Sequence, residues 1–74
     1  MTGIVADDGR AHPLVRQMFG IMRRQRTNTT ELADAVGMAR RTTHFWREGH
    51  GPTLGLFEAC LHELGYELRI VERQ

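Results

Sequence analysis

The stretch NTTELADAVGMARRTTHFWREG, from Asn28 to Gly49, holds two helix-forming patterns with a single glycine between them. No other part of the chain narrows the fold as much. Asn28 with Glu31 three residues later has the spacing of a capping box, in which each side chain satisfies the other residue's backbone N–H at a helix start. Leu32, Ala33 and Val36 follow as the apolar face of that helix. Gly37 stops it, as a residue that tolerates the left-handed conformation at a helix end. A further helix is predicted from about Arg40 to Arg47. Two short helices joined by a tight glycine turn make a helix-turn-helix, and the crossing needs a small side chain. Ala33, four residues before Gly37, supplies one.

The flanks continue the helical reading. Pro13 suits the first turn of a helix, where a missing N–H does no harm. After it Leu14, Val15, Met18, Phe19, Ile21 and Met22 recur at helical spacing, which predicts a first helix over about Pro13 to Arg24. The sequence EGHGP breaks the chain with glycine and proline. Thr53 then caps a last helix whose Leu54, Phe57, Cys60, Leu61 and Leu64 share a face, with Gly65 as its stop. In the tail the period changes. Tyr66, Leu68 and Ile70 alternate with Glu67, Arg69 and Val71, which predicts a strand. A single strand in a helical chain has open backbone groups that call for a partner. Residues 1–11 are short, polar and glycine-containing, and are predicted to be disordered. The organisation expected is therefore a disordered leader at 1–11, a helix-turn-helix domain at 12–65 and a dimerisation strand with its tail at 66–74.

With 74 residues the chain makes one small domain, marginal in stability alone. Its formal net charge is only +1, but the charge is unevenly spread. From Arg10 to Arg47 eight arginines stand against Glu31 and Asp34. From Glu48 onward Arg69 and Arg73 stand against five glutamates. A basic segment of this kind can bind a polyanion although the chain as a whole is nearly neutral. All ten basic residues are arginine, which suits bidentate contacts to phosphate or guanine and is equally accounted for by genome base composition. No apolar run approaches the roughly 20 residues that cross a membrane. The start MTGIVADDGR lacks the basic flank and apolar stretch of a signal peptide, so a cytoplasmic location is the default expectation. Cys60 has no partner for a disulfide, and His12 and His62 have no second ligand at helical spacing, so no metal or other cofactor is expected. No nucleophile–base spacing, glycine-rich phosphate loop or acidic pair suggests an enzyme.

The span from about Val15 to Gly65 resembles the lambda-repressor-like DNA-binding family, the Cro/cI or XRE type. The resemblance rests on the Leu32-Ala33 pair, Gly37, Gly49, and the Pro52-Thr53-Leu54 entry to a helix ending in Leu64-Gly65. A strand after that last helix is similar to antitoxins of the HipB type, where such strands build a dimer. The resemblance implies a mainly α, four-helix fold with a short C-terminal β-strand pairing across a homodimer through Tyr66, Leu68 and Ile70. It implies that Arg40, Arg41, His44 and Phe45 meet base edges of double-stranded DNA. Phosphate contacts would come from Thr29, Thr30, Thr42, Arg47 and His50. Phe45 either touches a thymine methyl or packs inward, and Trp46 belongs to the core. Four positions depart from the family's pattern. Thr29 stands where a glutamine is frequent, Thr43 where a branched aliphatic residue is frequent, and Met22 with Arg47 where an arginine commonly pairs with a glutamate. The function implied is a sequence-specific transcriptional regulator, a repressor acting as a dimer on a palindromic operator. The alternative is an antitoxin or adaptor that holds a toxin or other partner protein, with DNA binding secondary. A DNA-packaging or recombination accessory of a phage is a third.

Overall fold

The computed structural model describes residues 10–73, so the predicted disorder of residues 1–9 lies outside the described residues. The described chain is mainly α, with four helices: α1 (Pro13–Gln25), α2 (Thr29–Val36), α3 (Thr42–Arg47) and α4 (Leu54–Glu63). Pro13 opens α1 as predicted, and the His12 Nδ1 accepts from the Leu14 N–H at 3.0 Å. Arg23 and Arg24 lie in the last turn, where positive charge meets the negative end of the helix dipole. Arg26 takes up the left-handed conformation at φ 59° and turns the chain towards α2.

The capping box forms with both of its bonds. The Glu31 N–H donates to Asn28 Oδ1 at 2.8 Å, and the Asn28 N–H donates to Glu31 Oε1 at 3.0 Å. Gly37 ends α2 at φ 77°, and the next N–H, of Met38, closes onto Ala33 O at 3.0 Å. The helix packs on α4, and Ala33 is wholly buried.

The third helix is shorter than the sequence predicts. Arg40 and Arg41 belong to the turn, with the Thr42 N–H donating to Ala39 O and the His44 N–H to Arg41 O, at 3.1 and 3.0 Å. The reason is local: Ala39, Arg40 and Arg41 offer no N-capping side chain, so the chain enters α3 through tight turns instead. Beyond α3, Gly49 sits at φ 108°, and a β-carbon there would come within 3.3 Å of Arg10 O. Thr53 caps α4, its Oγ1 accepting from the Leu56 N–H at 3.3 Å. The Gln25 amide donates to Leu64 O at 2.8 Å and so ties the end of α1 to the end of α4.

The core gathers Val15, Met18, Phe19, Ile21 and Met22 of α1, Leu32 of α2, Trp46 of α3 and Phe57, Cys60 and Leu61 of α4. Ala11, predicted to lie in the disordered leader, is buried with them. Residues 66–73 carry no strand. The Tyr66 N–H bonds to Leu61 O at 2.8 Å, and from there the chain runs without regular pairing. A strand needs a neighbour to complete its hydrogen bonds, and the described chain offers none. Leu68 packs against the core, whereas Ile70 is fully exposed and Val71 nearly so.

Candidate nucleic-acid interface

The face of α3 divides cleanly. Thr43 and Trp46, three residues apart, point into the core at 0% and 3% exposure. Arg41, His44 and Phe45 have the i, i+3, i+4 relation that puts them together on the outer side. All three are exposed, so of the two alternatives for Phe45 the inward one does not occur. Its ring meets His50 edge-on, with centroids 6.2 Å apart and planes at 83°. The His50 N–H also donates to Phe45 O at 3.0 Å, so the loop after α3 is fastened to the helix it follows.

Arg40 stands at the tip of the turn, and both ends of it are held. Its side chain forms a bidentate ion pair with Asp34 of α2, Nε to Oδ1 at 3.3 Å and Nη2 to Oδ2 at 3.2 Å. Its carbonyl accepts a long hydrogen bond, 3.5 Å, from the buried Thr43 hydroxyl. That bond gives the hydroxyl at position 43 a use that a branched aliphatic side chain would not have. The Arg40–Asp34 pair is well exposed, so its stabilising effect is screened and small, about 0–1 kcal/mol. Its consequence is positional: it biases the guanidinium towards the side of Asp34.

A second group forms beside the start of α2. Arg47 lies with its guanidinium carbon 4.8 Å from the centroid of the Phe19 ring, a cation–π arrangement. It lines an open groove of about 260 Å³ together with Phe19, Met22, Arg23, Thr27, Asn28 and Thr29. Thr29 and Arg47, predicted as phosphate contacts, are therefore brought together there, and Met22 and Arg47 border the same space. Thr30 and His50 are exposed and Thr42 is half-buried, and none of the three lines this groove.

Sequence reasoning overlooked Asp34, Asn28 as a groove residue, and the Phe19–Arg47 stack. A signal existed for Asp34, which is one of only two acids among the residues from Arg10 to Arg47. Among the described residues no three or more His, Cys, Asp and Glu side chains are gathered as a metal site, and no helix is long and apolar enough to cross a membrane. The grouping is suited to holding an anionic, hydrogen-bond-accepting surface: cations and a ring on the outer side of α3, with two hydroxyls, an amide and the guanidinium groups of Arg23 and Arg47 beside the start of α2. Comparison with family models, with curated proteins and with solved structures finds no match to this chain.

Proposed function

We propose that the protein is a sequence-specific double-stranded DNA-binding regulator of the lambda-repressor-like helix-turn-helix type, a repressor that acts as a homodimer. The observation that carries this reading is the division of α3. A six-residue helix held to the core by Thr43 and Trp46 turns Arg41, His44 and Phe45 outward, with Arg40 at the entry turn. An exposed helix of this size fits the roughly 12 Å wide major groove. Arg40 and Arg41 then read bases, His44 and Phe45 follow one turn on, and Thr29 and Arg47 hold phosphate in their common groove. Thr30, Thr42 and His50 serve as further backbone contacts.

The dimer forms through residues 66–71, which pair with the same residues of a second copy. Supporting this, Tyr66 is half-exposed and Ile70 and Val71 stand free of their own core. An open groove of about 240 Å³, bordered by Leu14, Met18, Ile21, Phe57, Leu61, Tyr66 and Leu68 together with Gln17, Glu67 and Arg69, runs alongside. Two reading helices about 34 Å apart then meet half-sites roughly 10 base pairs apart. The same exposed tail favours a second reading, an antitoxin or adaptor that holds a partner protein.

Selection of bound sites from random DNA, followed by binding of variants at two salt concentrations, tests the proposal. Replacing Arg40 or Arg41 by alanine should cost on the order of 1–3 kcal/mol and relax preference at one base position per half-site. Arg47→Ala should weaken binding to all sequences and flatten the salt dependence. Trp46→Ala should fail by unfolding, since removing a large core aromatic costs about 3–5 kcal/mol. If alanine at both Arg40 and Arg41 leaves specific binding intact in a folded protein, α3 is not the reader and the adaptor reading takes precedence.

A further inference from the structure

We infer that Asp34 is a specificity-determining residue: it presents Arg40 to a guanine by occupying one edge of the guanidinium and leaving the other free. The inference rests on the DNA-binding reading above and deepens it.

An arginine has two edges that can form paired hydrogen bonds. The side edge offers the Nε–H and one Nη2–H. The end edge offers the remaining Nη2–H and an Nη1–H. Asp34 takes the side edge, through Nε at 3.3 Å and Nη2 at 3.2 Å. The end edge is then the one that remains, and it matches the O6 and N7 acceptors that guanine displays in the major groove. While the pair is formed, the carboxylate also sets the direction in which this edge faces, since the guanidinium is planar and rigid. At the other end of the residue the carbonyl of Arg40 is held by the hydroxyl of Thr43, which is wholly buried. Both the backbone and the charged head are therefore biased towards one arrangement before any ligand arrives.

The neighbouring arginine differs. Arg41 is exposed and has no such clamp among the described residues. An arginine free to sample its rotamers loses more entropy when it forms a bidentate contact, and a preorganised one loses less. The pair spans the end of α2 and the entry to α3, so Asp34 reaches the reading head from the adjacent helix. An acidic residue beside a phosphate-rich ligand lowers binding to any sequence, so its presence has a sense if it sharpens the choice among sequences. Arg40 is the guanine reader, and Asp34 is its positioning residue.

The test starts from the wild-type protein and its selected site, with guanine replaced by 7-deazaguanine, which lacks the N7 acceptor, at the base whose preference Arg40→Ala abolishes. The wild type should lose affinity on that replacement, by less than the roughly 5- to 150-fold range of a whole bidentate pair because the O6 acceptor remains. In Asp34→Ala and Asp34→Asn the ratio between the natural and 7-deaza sites should shrink by up to about fivefold, the most that an exposed ion pair supplies, and both should bind scrambled DNA as well as or better than the wild type. In the double variant Asp34→Ala/Arg40→Ala the loss of discrimination should be no greater than in Arg40→Ala alone, which is coupling rather than addition. Melting temperatures should be close to wild type, as both side chains are exposed. If the Asp34 variants keep the full sensitivity to 7-deazaguanine, or if Arg40→Ala alters no base preference, the inference is overturned while the DNA-binding reading stands on Arg41. If the wild type selects no site at all, the DNA-binding reading fails and this inference falls with it.

Discussion

Cys60 sits at the centre of the core with no measurable exposure, and burial pushes its thiol up to about 11 from an ordinary value of 9.0. The native state thus holds the thiol proton more tightly than the unfolded chain does. Its contribution to stability is complete below about pH 9 and is lost as the pH rises towards about 11, because only the unfolded chain can release the proton in that window. Urea denaturation across that range should show stability falling with pH in the wild type and a flatter profile in Cys60→Ala. Alkylation at neutral pH should label Cys60 only in denatured protein, since a buried, protonated thiol is inert. Rapid labelling of the native protein would mean that the core opens far more readily than its packing implies. Side chains such as this one were legible in the sequence, because an apolar face at helical spacing specifies its own burial. Contacts between distant residues were not. The Phe19–Arg47 stack joins α1 to α3, and nothing in the spacing of either residue announces the other.

Helix α2 is bracketed by two local devices that the sequence did reveal, and their effects can be separated. Asn28→Ala removes the acceptor that holds the Glu31 N–H and should cost about 0.5–2 kcal/mol, with Asn28→Asp restoring most of it. Gly37→Ala should cost about 1–2 kcal/mol for a different reason. A β-carbon there meets no atom within 4 Å, so the whole effect is the left-handed backbone at φ 77°. Chemical denaturation of the three variants checks both, and a Gly37→Ala protein as stable as wild type would mean that the turn can adopt another conformation. Caps and stops are readable because they act over three or four residues. The start of α3 was misplaced for the complementary reason: ARR holds no capping side chain, and Arg40 is kept in the turn by Asp34 of the preceding helix and by the buried Thr43. The tail was half legible. Its period-two pattern is plain, but the backbone partner that would make it a strand is not among the described residues of one chain. Ala11 was read by the company it keeps in the sequence, and it is buried all the same because α1 begins close beside it.

Ile70 and Val71 expose apolar side chains that water does not favour, next to an open groove bordered by Leu14, Phe57, Tyr66 and Leu68. A second groove of about 230 Å³, bordered by Val15, Pro52 and Leu54, shares Leu14 and Phe57 with the first. On the proposed pairing these surfaces meet across the dimer. Sedimentation at micromolar concentration should give a dimer, and deletion of residues 66–74 should give a monomer or an unfolded chain. A truncated protein that remains dimeric and stable would place the interface elsewhere. The truncated chain should also bind its site far more weakly, since each copy then carries one half of the recognition surface.

On the proposed pairing, a tail that completes itself only on a second copy would make the number of molecules in the cell a signal in its own right. While most chains are single, doubling their number raises the paired form about fourfold by mass action. Occupancy of a two-fold site would then rise as the square of supply. A gene controlled in this way would answer sharply to the rate at which the chain is made and destroyed, with no small molecule needed to throw the switch.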